Sequence, residues 1–210
     1  MGQSKTKVDI IACGLDNSGK TTILNFFRPA NEKMETVTAT IGYNVETFQF
    51  QNFNYQTNAY NYKSAQNSGT GDKKVEFTAF DMGGAKKFRS LWESHYSTVQ
   101  GIVFVIDSSD VLRLCVVKDE LEALLQHPDL NADAGRKRVP VLVYANKNDL
   151  EGAKTPAELT ELLDLPELMG DRPYNIFSSD ARKGVALAEG MGWLQETVLL
   201  QLGDQKKKGK

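Results

Sequence analysis

One segment, residues 14–22, limits the possible folds of this chain more than any other. It reads Gly-Leu-Asp-Asn-Ser-Gly-Lys-Thr-Thr and matches the pattern G-x-x-x-x-G-K-T of a phosphate-binding loop. An apolar stretch rich in β-branched residues, 8–13, precedes it, and the apolar run 23–27 follows it. A strand, this glycine loop and a helix in that order predict a nucleotide site, because backbone N–H groups and the helix N-terminus then converge on one point.

The lysine and the first threonine of this phosphate loop have defined tasks in such a site. Lys20 reaches β- and γ-phosphate oxygens, and the Thr21 hydroxyl ligates Mg²⁺. The glycines let the backbone bend tightly, so that neighbouring loop residues also contact phosphate. The sequence therefore predicts these nucleotide ligands: Asp16, Asn17, Ser18, Gly19, Lys20, Thr21 and Thr22.

The composition is that of one globular domain. The chain has 210 residues, of which 40% are hydrophobic and 25% charged, and we expect a single monomeric domain over residues 1–203. A net charge of −2 gives no reason to expect nucleic-acid binding. No apolar run approaches the ~20 residues of a membrane helix. Cys13 and Cys115 lie far apart in apolar stretches, which predicts two reduced core cysteines in a cytoplasmic protein.

Both ends of the chain carry short signals. The start, Met-Gly-Gln-Ser-Lys-Thr, matches the N-myristoylation pattern and makes Gly2 a candidate lipidation site. One such lipid chain binds membranes weakly and reversibly, so we expect a weak peripheral membrane contact. The segment 204–210 is rich in lysine and predicts a basic, disordered tail.

Two alternating segments, 43–50 and 75–80, predict strands of a hairpin. The segment between them, 51–73, is rich in Asn, Gln, Tyr, Ser and Gly, and predicts a polar insertion at the hairpin tip. Thr40 lies in the loop before the hairpin, twenty residues after Lys20. From there its hydroxyl could reach the metal ion when a γ-phosphate is present.

The sequence Asp-Met-Gly-Gly-Ala at 81–85 follows the second of these strands. A carboxylate at a strand end suits an acid beside a metal ion, and we expect Asp81 to act on Mg²⁺ through water. The two glycines let the backbone approach a ligand, so that Gly84 can offer its N–H to the γ-phosphate.

Four further segments predict helices. Apolar residues recur at helical spacing after residue 85, and we expect Leu91 in the core and Phe88 and Trp92 partly exposed for a partner. Amphipathic patterns also cover 112–126 and 156–163. The last helix presents this apolar face: Leu187, Met191, Leu194 and Val198.

A second motif, Asn-Lys-Asn-Asp at 146–149, ends the buried strand 139–145 and has the form N-K-x-D. A buried Asp149 carboxylate would accept two hydrogen bonds from guanine N1 and N2, whereas adenine would leave it unpaired. Asn146 can tie the base to the phosphate loop, and the stem of Lys147 can stack on the ring. After the strand 175–179, Asp180 and Ala181 complete the predicted site, with the Ala181 N–H directed at guanine O6.

With these motifs placed, the chain resembles the Arf and Arf-like small GTPases over nearly its whole length. The resemblance implies an α/β fold with a six-stranded, mostly parallel sheet and helices on both faces. It implies a GTP/GDP switch that uses Mg²⁺, an activator and an exchange factor, and binds effectors through this surface: Ile41, Tyr43, Phe80, Phe88 and Trp92. Segments 80–82, 127–130 and 179–181 most resemble the Bardet–Biedl-associated branch, which implies ciliary membranes and recruitment of the BBSome coat.

Three features depart from the family pattern. Ala85 stands where the family usually has the glutamine that orients the attacking water, so we expect very slow intrinsic GTP hydrolysis. Few residues precede the first strand, and the insertion 51–73 falls within the hairpin. Two alternatives to a switch remain at this point. Ala85 favours a non-switching GTP-binding scaffold, and another phosphate-loop enzyme, such as a nucleotide kinase, is the second alternative, although N-K-x-D argues against it.

Overall fold

The structure, a computed structural model, describes residues 6–50, 75–131 and 137–208. The candidate lipidation site at Gly2 and the predicted insertion at 51–73 lie outside the described residues. The six strands found are β1 (Thr6–Cys13), β2 (Tyr43–Phe50), β3 (Val75–Met82), β4 (Gly101–Asp107), β5 (Val141–Asn146) and β6 (Tyr174–Ser178). They form one sheet in the order β2-β3-β1-β4-β5-β6. Only the β2–β3 pair is antiparallel, with β2 at the edge, as the sequence predicts.

The helices cover both faces of the sheet, which confirms the predicted architecture. They are α1 (Lys20–Phe27), α2 (Leu114–Gln126), α3 (Pro156–Leu162), α4 (Leu165–Met169) and α5 (Leu187–Lys208). α1 and α5 cover one face, while α2, α3, α4 and the 3₁₀ helix Lys86–His95 cover the other. β4 and β5 are buried on both sides because their side chains are almost continuously apolar.

The segment after β3 differs from the predicted α-helix, because it forms the 3₁₀ helix Lys86–His95. With three residues per turn, residues three apart share a face. Arg89, Trp92 and His95 therefore point inward together, and Trp92 is only 2% exposed. Leu91 turns outward and is 38% exposed. The predictions of an exposed Trp92 and a buried Leu91 are both wrong.

Three smaller features also differ from what the sequence predicts. Cys115 is exposed near the start of α2, because the inward side of that turn is taken by Leu114 and Val117. The short helix α4, which contains a proline, follows α3 without having been expected. α5 continues to Lys208, so residues 204–208 are helical instead of forming a disordered tail.

The topology places the predicted motifs together. Parallel strands end at one edge of a sheet, and the loops after β1, β3, β4, β5 and β6 all leave from that edge. None of the described helices combines the length and the apolar character needed to cross a membrane.

Candidate nucleotide-binding site

The phosphate loop, residues 14–22, turns sharply between β1 and α1. Gly14 and Gly19 have φ of 133° and 99°, and Asn17 has φ of 61°. A Cβ on Gly14 would lie 2.2 Å from the carbonyl oxygen of Val105, and one on Gly19 would lie 2.3 Å from Nδ2 of Asn146. Both glycines are therefore needed for backbone conformation and for close packing.

Lys20 folds back over this loop. Its ammonium donates to the carbonyl oxygens of Gly14 and Leu15, at 3.0 and 2.8 Å. Lys20 as a whole is only 6% exposed. Burial lowers the pKa of Lys20 to about 8, against the opposing effect of the nearby Asp81 carboxylate. A buried cation inside a glycine loop fits a phosphate group.

Three oxygen-bearing side chains meet beside Lys20. The hydroxyl oxygens of Thr21 and Thr40 lie 2.9 Å apart. Both contact Oδ2 of Asp81, Thr21 by donating over 2.6 Å and Thr40 over 3.3 Å. Asp81 is fully buried, and that burial raises its pKa, while the Thr21 hydrogen bond and Lys20 act in the opposite direction.

This cluster fits Mg²⁺, which prefers hard oxygen ligands and retains several waters. Oδ1 of Asp81 is buried and has no hydrogen-bond partner within the protein. A buried carboxylate oxygen of this kind needs a cation or an ordered water. The structure thus brings together the three predicted metal-site residues, Thr21, Thr40 and Asp81.

The Gly84 loop, residues 83–85, rests on the phosphate loop. A Cβ on Gly84 would lie 2.3 Å from the carbonyl carbon of Leu15 and 2.4 Å from the nitrogen of Asp16. The N–H of Gly83 donates to the carbonyl of Gly42 at 2.8 Å, which joins this loop to the segment before β2. Ala85 follows, half-buried and without a polar side chain.

Asn146 connects three loops at the other end of the site. It is 1% exposed, and its Nδ2 donates to the carbonyl of Ser18 at 2.8 Å. Its Oδ1 accepts from the Ala181 N–H at 3.0 Å and from the Ser179 hydroxyl at 3.3 Å. Asn146 therefore contacts the phosphate loop directly, while its contact with the base stays a prediction. The Ala181 N–H is already engaged here, so its contact with guanine O6 stays a prediction.

The other residues predicted to bind the base are Lys147, Asp149 and Asp180, and each has a different environment. Lys147 has φ of 63°, and its ammonium lies 2.6 Å from Oδ2 of Asp107. Asp149 is exposed, not buried as the sequence suggested, because it lies in the turn beyond β5. Asp180 is 2% exposed, and its Oδ1 accepts from the N–H groups of Arg182 and Lys183. Asp180 therefore shapes the turn that carries Ala181.

Ser18 and Thr22 are two further predicted nucleotide ligands. Ser18 is 1% exposed, with a hydroxyl that has no hydrogen-bond partner in the protein. Thr22 lies half-buried within the first turn of α1. Their roles as nucleotide ligands stay predictions.

The predicted effector surface is only partly formed as expected. Ile41 is 82% exposed and Tyr43 45% exposed, while Phe80 and Phe88 are half-buried. The fifth member, Trp92, is buried and donates its indole N–H to the carbonyl of Gly83 at 3.1 Å. It supports the Gly84 loop from inside instead of facing a partner.

Three contributors to this region were missed. Asp107, at the end of β4, could have been found, because it leaves the same sheet edge as the other motifs. His95 stacks on Phe80 with ring centroids 4.1 Å apart, and its position depends on the 3₁₀ geometry. Arg89 contacts the Gly84 loop, and no sequence pattern marks it.

Comparison with known proteins agrees with this geometry. The model of the ADP-ribosylation factor family matches residues 1–198. ADP-ribosylation factor-like protein 6 of Danio rerio is 39% identical over 198 residues, which cover 94% of this chain and 92% of the relative. The protein of the same name from Caenorhabditis briggsae is 36% identical over 205 residues, covering 98% and 94%.

A solved structure is also similar over nearly the whole chain. It is the Arl6 BBS3 small GTPase from Trypanosoma brucei, with the bound nucleotide analogue GppNp. The two share 50% sequence identity and a TM-score of 0.77, over 93% of this chain and 99% of the other. The chain therefore belongs to the ADP-ribosylation factor family and is an Arf-like small GTPase.

Proposed function

We propose that this protein is a GTP/GDP switch whose GTP-bound form recruits a protein effector to a membrane. One observation carries the proposal: the segment that leads into β2 and the segment that follows β3 both contact the phosphate loop. Thr40, before β2, lies against Thr21, and Gly84, after β3, packs on Leu15. A third phosphate bound between them would hold both segments, and its loss would release both.

The residues of the site divide the work of binding. Lys20 and the backbone of the phosphate loop would hold the phosphates, while Asn146, Lys147 and Asp149 would select guanine. Mg²⁺, held by the hydroxyls of Thr21 and Thr40 and by Asp81 through water, would neutralise phosphate charge. Competition of GDP against ADP tests the base selection, and a preference for ADP would contradict it.

The exposed side chains next to Thr40 supply a surface that depends on the nucleotide. Ile41 directly follows Thr40 and is 82% exposed. We expect Ile41→Asp to abolish recovery of the effector by the GppNp-loaded protein, because a carboxylate there opposes apolar docking. Leu200→Asp is the matched control, since Leu200 is 71% exposed on α5, the helix that packs against β5 and β6. Equal effector recovery by the GDP and GppNp forms would contradict the switch.

We further propose that the effector is a BBSome-type coat and that the site of action is the ciliary membrane or the base of the cilium. The 50% identity to the Arl6 BBS3 small GTPase supports this partner. The Met-Gly start supports a weak myristoyl anchor at Gly2. Affinity capture with the GppNp-loaded protein is expected to recover coat subunits. Recovery of a different complex would contradict the partner, and mass spectrometry of the purified protein tests the lipid.

A second candidate is a GTP-binding scaffold that hydrolyses almost no GTP, and Ala85 is the observation that favours it. A methyl group cannot orient the attacking water. We expect Ala85→Gln to raise the single-turnover hydrolysis rate constant by about tenfold, because the amide can position that water. Ala85→Leu, similar in bulk and without hydrogen-bonding groups, is the control. No increase with Gln would show that Ala85 does not limit hydrolysis.

The effect of an activating protein on GTP hydrolysis distinguishes the switch from the scaffold. Single-turnover hydrolysis by the wild type is measured with and without a cell extract. Stimulation by the extract supports the switch, in which an activating protein supplies what Ala85 lacks. Undetectable hydrolysis under both conditions supports the scaffold.

A further inference from the structure

We propose that Arg89 is a positioning residue that fastens the Gly84 loop onto the phosphate loop and thereby favours GTP over GDP. The inference rests on the proposed function and specifies how its site is regulated. It assigns a task to a side chain outside both recognised motifs.

The guanidinium of Arg89 contacts three separate parts of the fold. Its Nε donates to the carbonyl of Gly84 at 2.9 Å. One terminal nitrogen lies 2.7 Å from Oε1 of Glu120 on α2, and the other lies 3.9 Å from Oδ1 of Asp16 in the phosphate loop. The Arg89 side chain is 12% exposed and that of Glu120 is 28% exposed. These contacts link a loop after β3 to the phosphate loop and to a rigid helix.

The loop needs such a restraint because Gly84 lacks one of its own. Glycine can adopt many backbone conformations, and ordering it costs more entropy than ordering any other residue. The close packing of Gly84 on Leu15 excludes a Cβ there, so a stiffer residue cannot replace it. A hydrogen bond from Arg89 to the Gly84 carbonyl restricts the loop without adding bulk at Gly84.

Arginine suits this position better than lysine. Its planar group carries donors in several fixed directions, so one side chain can serve a carbonyl and two carboxylates together. The pair with Glu120 is charge-assisted and partly buried, which makes it stronger than an exposed pair. Glu120 thus holds Arg89 in place from the α2 side.

The fastened arrangement favours one nucleotide because the Gly84 loop lies where a γ-phosphate is expected. A contact that exists only in the closed arrangement stabilises whichever ligand binds that arrangement better. Arg89 should therefore strengthen GTP binding and contribute little to GDP binding. A residue that merely stabilised the fold would affect both nucleotides alike.

The test measures dissociation rate constants of fluorescent GppNp and fluorescent GDP in Mg²⁺ buffer. For Arg89→Gln we expect about tenfold faster release of GppNp and less than about twofold faster release of GDP. Glu120→Gln should shift the ratio of the two rate constants in the same direction by a smaller factor. Arg89→Lys keeps the charge but cannot reproduce the Nε contact, so its ratio should resemble that of Arg89→Gln.

Arg113→Gln is the matched control. Arg113 also contacts Asp16, at 3.1 Å from Oδ1, but among the described residues its side chain does not hydrogen-bond to Gly84. We expect this variant to change both release rates by the same factor. If Arg89→Gln also accelerates both nucleotides equally, or neither, the inference is overturned. If the wild type binds no guanine nucleotide, the proposed function fails instead. If Arg89→Gln does not fold, the Glu120→Gln ratio decides, and an unchanged ratio overturns the inference.

Discussion

The Asn146→Ala variant is expected to bind GDP about a hundredfold more weakly than the wild-type protein. Asn146 is the one side chain of its motif that contacts both the phosphate loop and the 179–183 turn in the described structure. Its loss would therefore affect the phosphate and base ends of the site together.

The expected loss of GDP affinity follows from the polar groups that the Asn146→Ala substitution leaves without a hydrogen-bond partner. Without the amide, the carbonyl of Ser18 loses a donor at 2.8 Å and the N–H of Ala181 loses an acceptor at 3.0 Å. Each buried polar group without a partner costs about 1–3 kcal/mol. We expect this cost to weaken GDP binding, because binding requires the loop in its present geometry. The amide also lies where a Cβ on Gly19 would fall, so its removal takes away the packing contact at Gly19.

Asn148→Ala provides a control within the same motif. Asn148 is exposed, and its Nδ2 donates to the hydroxyl of Ser178 at 3.0 Å. Surface substitutions of this kind change free energies by less than about 0.5 kcal/mol, so GDP affinity should remain within about twofold. Isothermal titration of nucleotide-free protein measures both variants. Comparable affinity loss in the two variants would contradict the bridging role of Asn146.

The sequence predicts the sheet well because its motifs mark strand ends. A phosphate loop after an apolar strand and N-K-x-D after another leave few alternatives once parallel strands must end at one edge. The family assignment follows from the same residues. Side-chain exposure near the site is predicted less well, because it depends on local helix geometry. In the 3₁₀ helix Trp92 takes the inward position and its neighbour Leu91 faces outward, and the apolar spacing alone does not predict which of the two is buried.

Long-range side-chain pairs are a second limit on sequence reasoning. Thr21, Thr40 and Asp81 were predicted together because they share a chemical role. Arg89 and Glu120 are 31 positions apart and share no pattern, so their contact emerges only from the packed fold. Arg172 shows the same limit inside the core. It lies in the polar sequence Gly-Asp-Arg-Pro, which reads as an exposed loop.

Arg172→Met is expected to lower the free energy of unfolding by about 3 kcal/mol. Arg172 is 3% exposed, and burial lowers its pKa to about 10, so the guanidinium is still charged near pH 7. It donates to the carbonyls of Val139 and Leu130 at 2.6 and 2.9 Å, and to Oδ1 of Asn131 at 3.0 Å. A fourth hydrogen bond, of 3.4 Å, reaches the carbonyl of Leu125 near the C-terminus of α2.

These acceptors explain why a hydrophobic residue of similar length should not replace Arg172. The carbonyls near the end of a helix lack intrahelical donors, and a cation there also interacts favourably with the helix dipole. Methionine fills much of the volume but leaves several buried carbonyl oxygens unpaired. The loss should therefore appear in global stability, while nucleotide selectivity remains as in the wild type.

The control is Arg138→Met, which removes an arginine from the same end of the sheet. Arg138 pairs with Asp171, and their side chains are 38% and 81% exposed. An exposed pair contributes about 0–1 kcal/mol, so this variant should unfold almost like the wild type. Chemical denaturation must be followed at one fixed GDP concentration, because bound nucleotide itself stabilises the folded state. Equal losses of unfolding free energy in the two variants would contradict the stabilising role of the buried hydrogen bonds of Arg172.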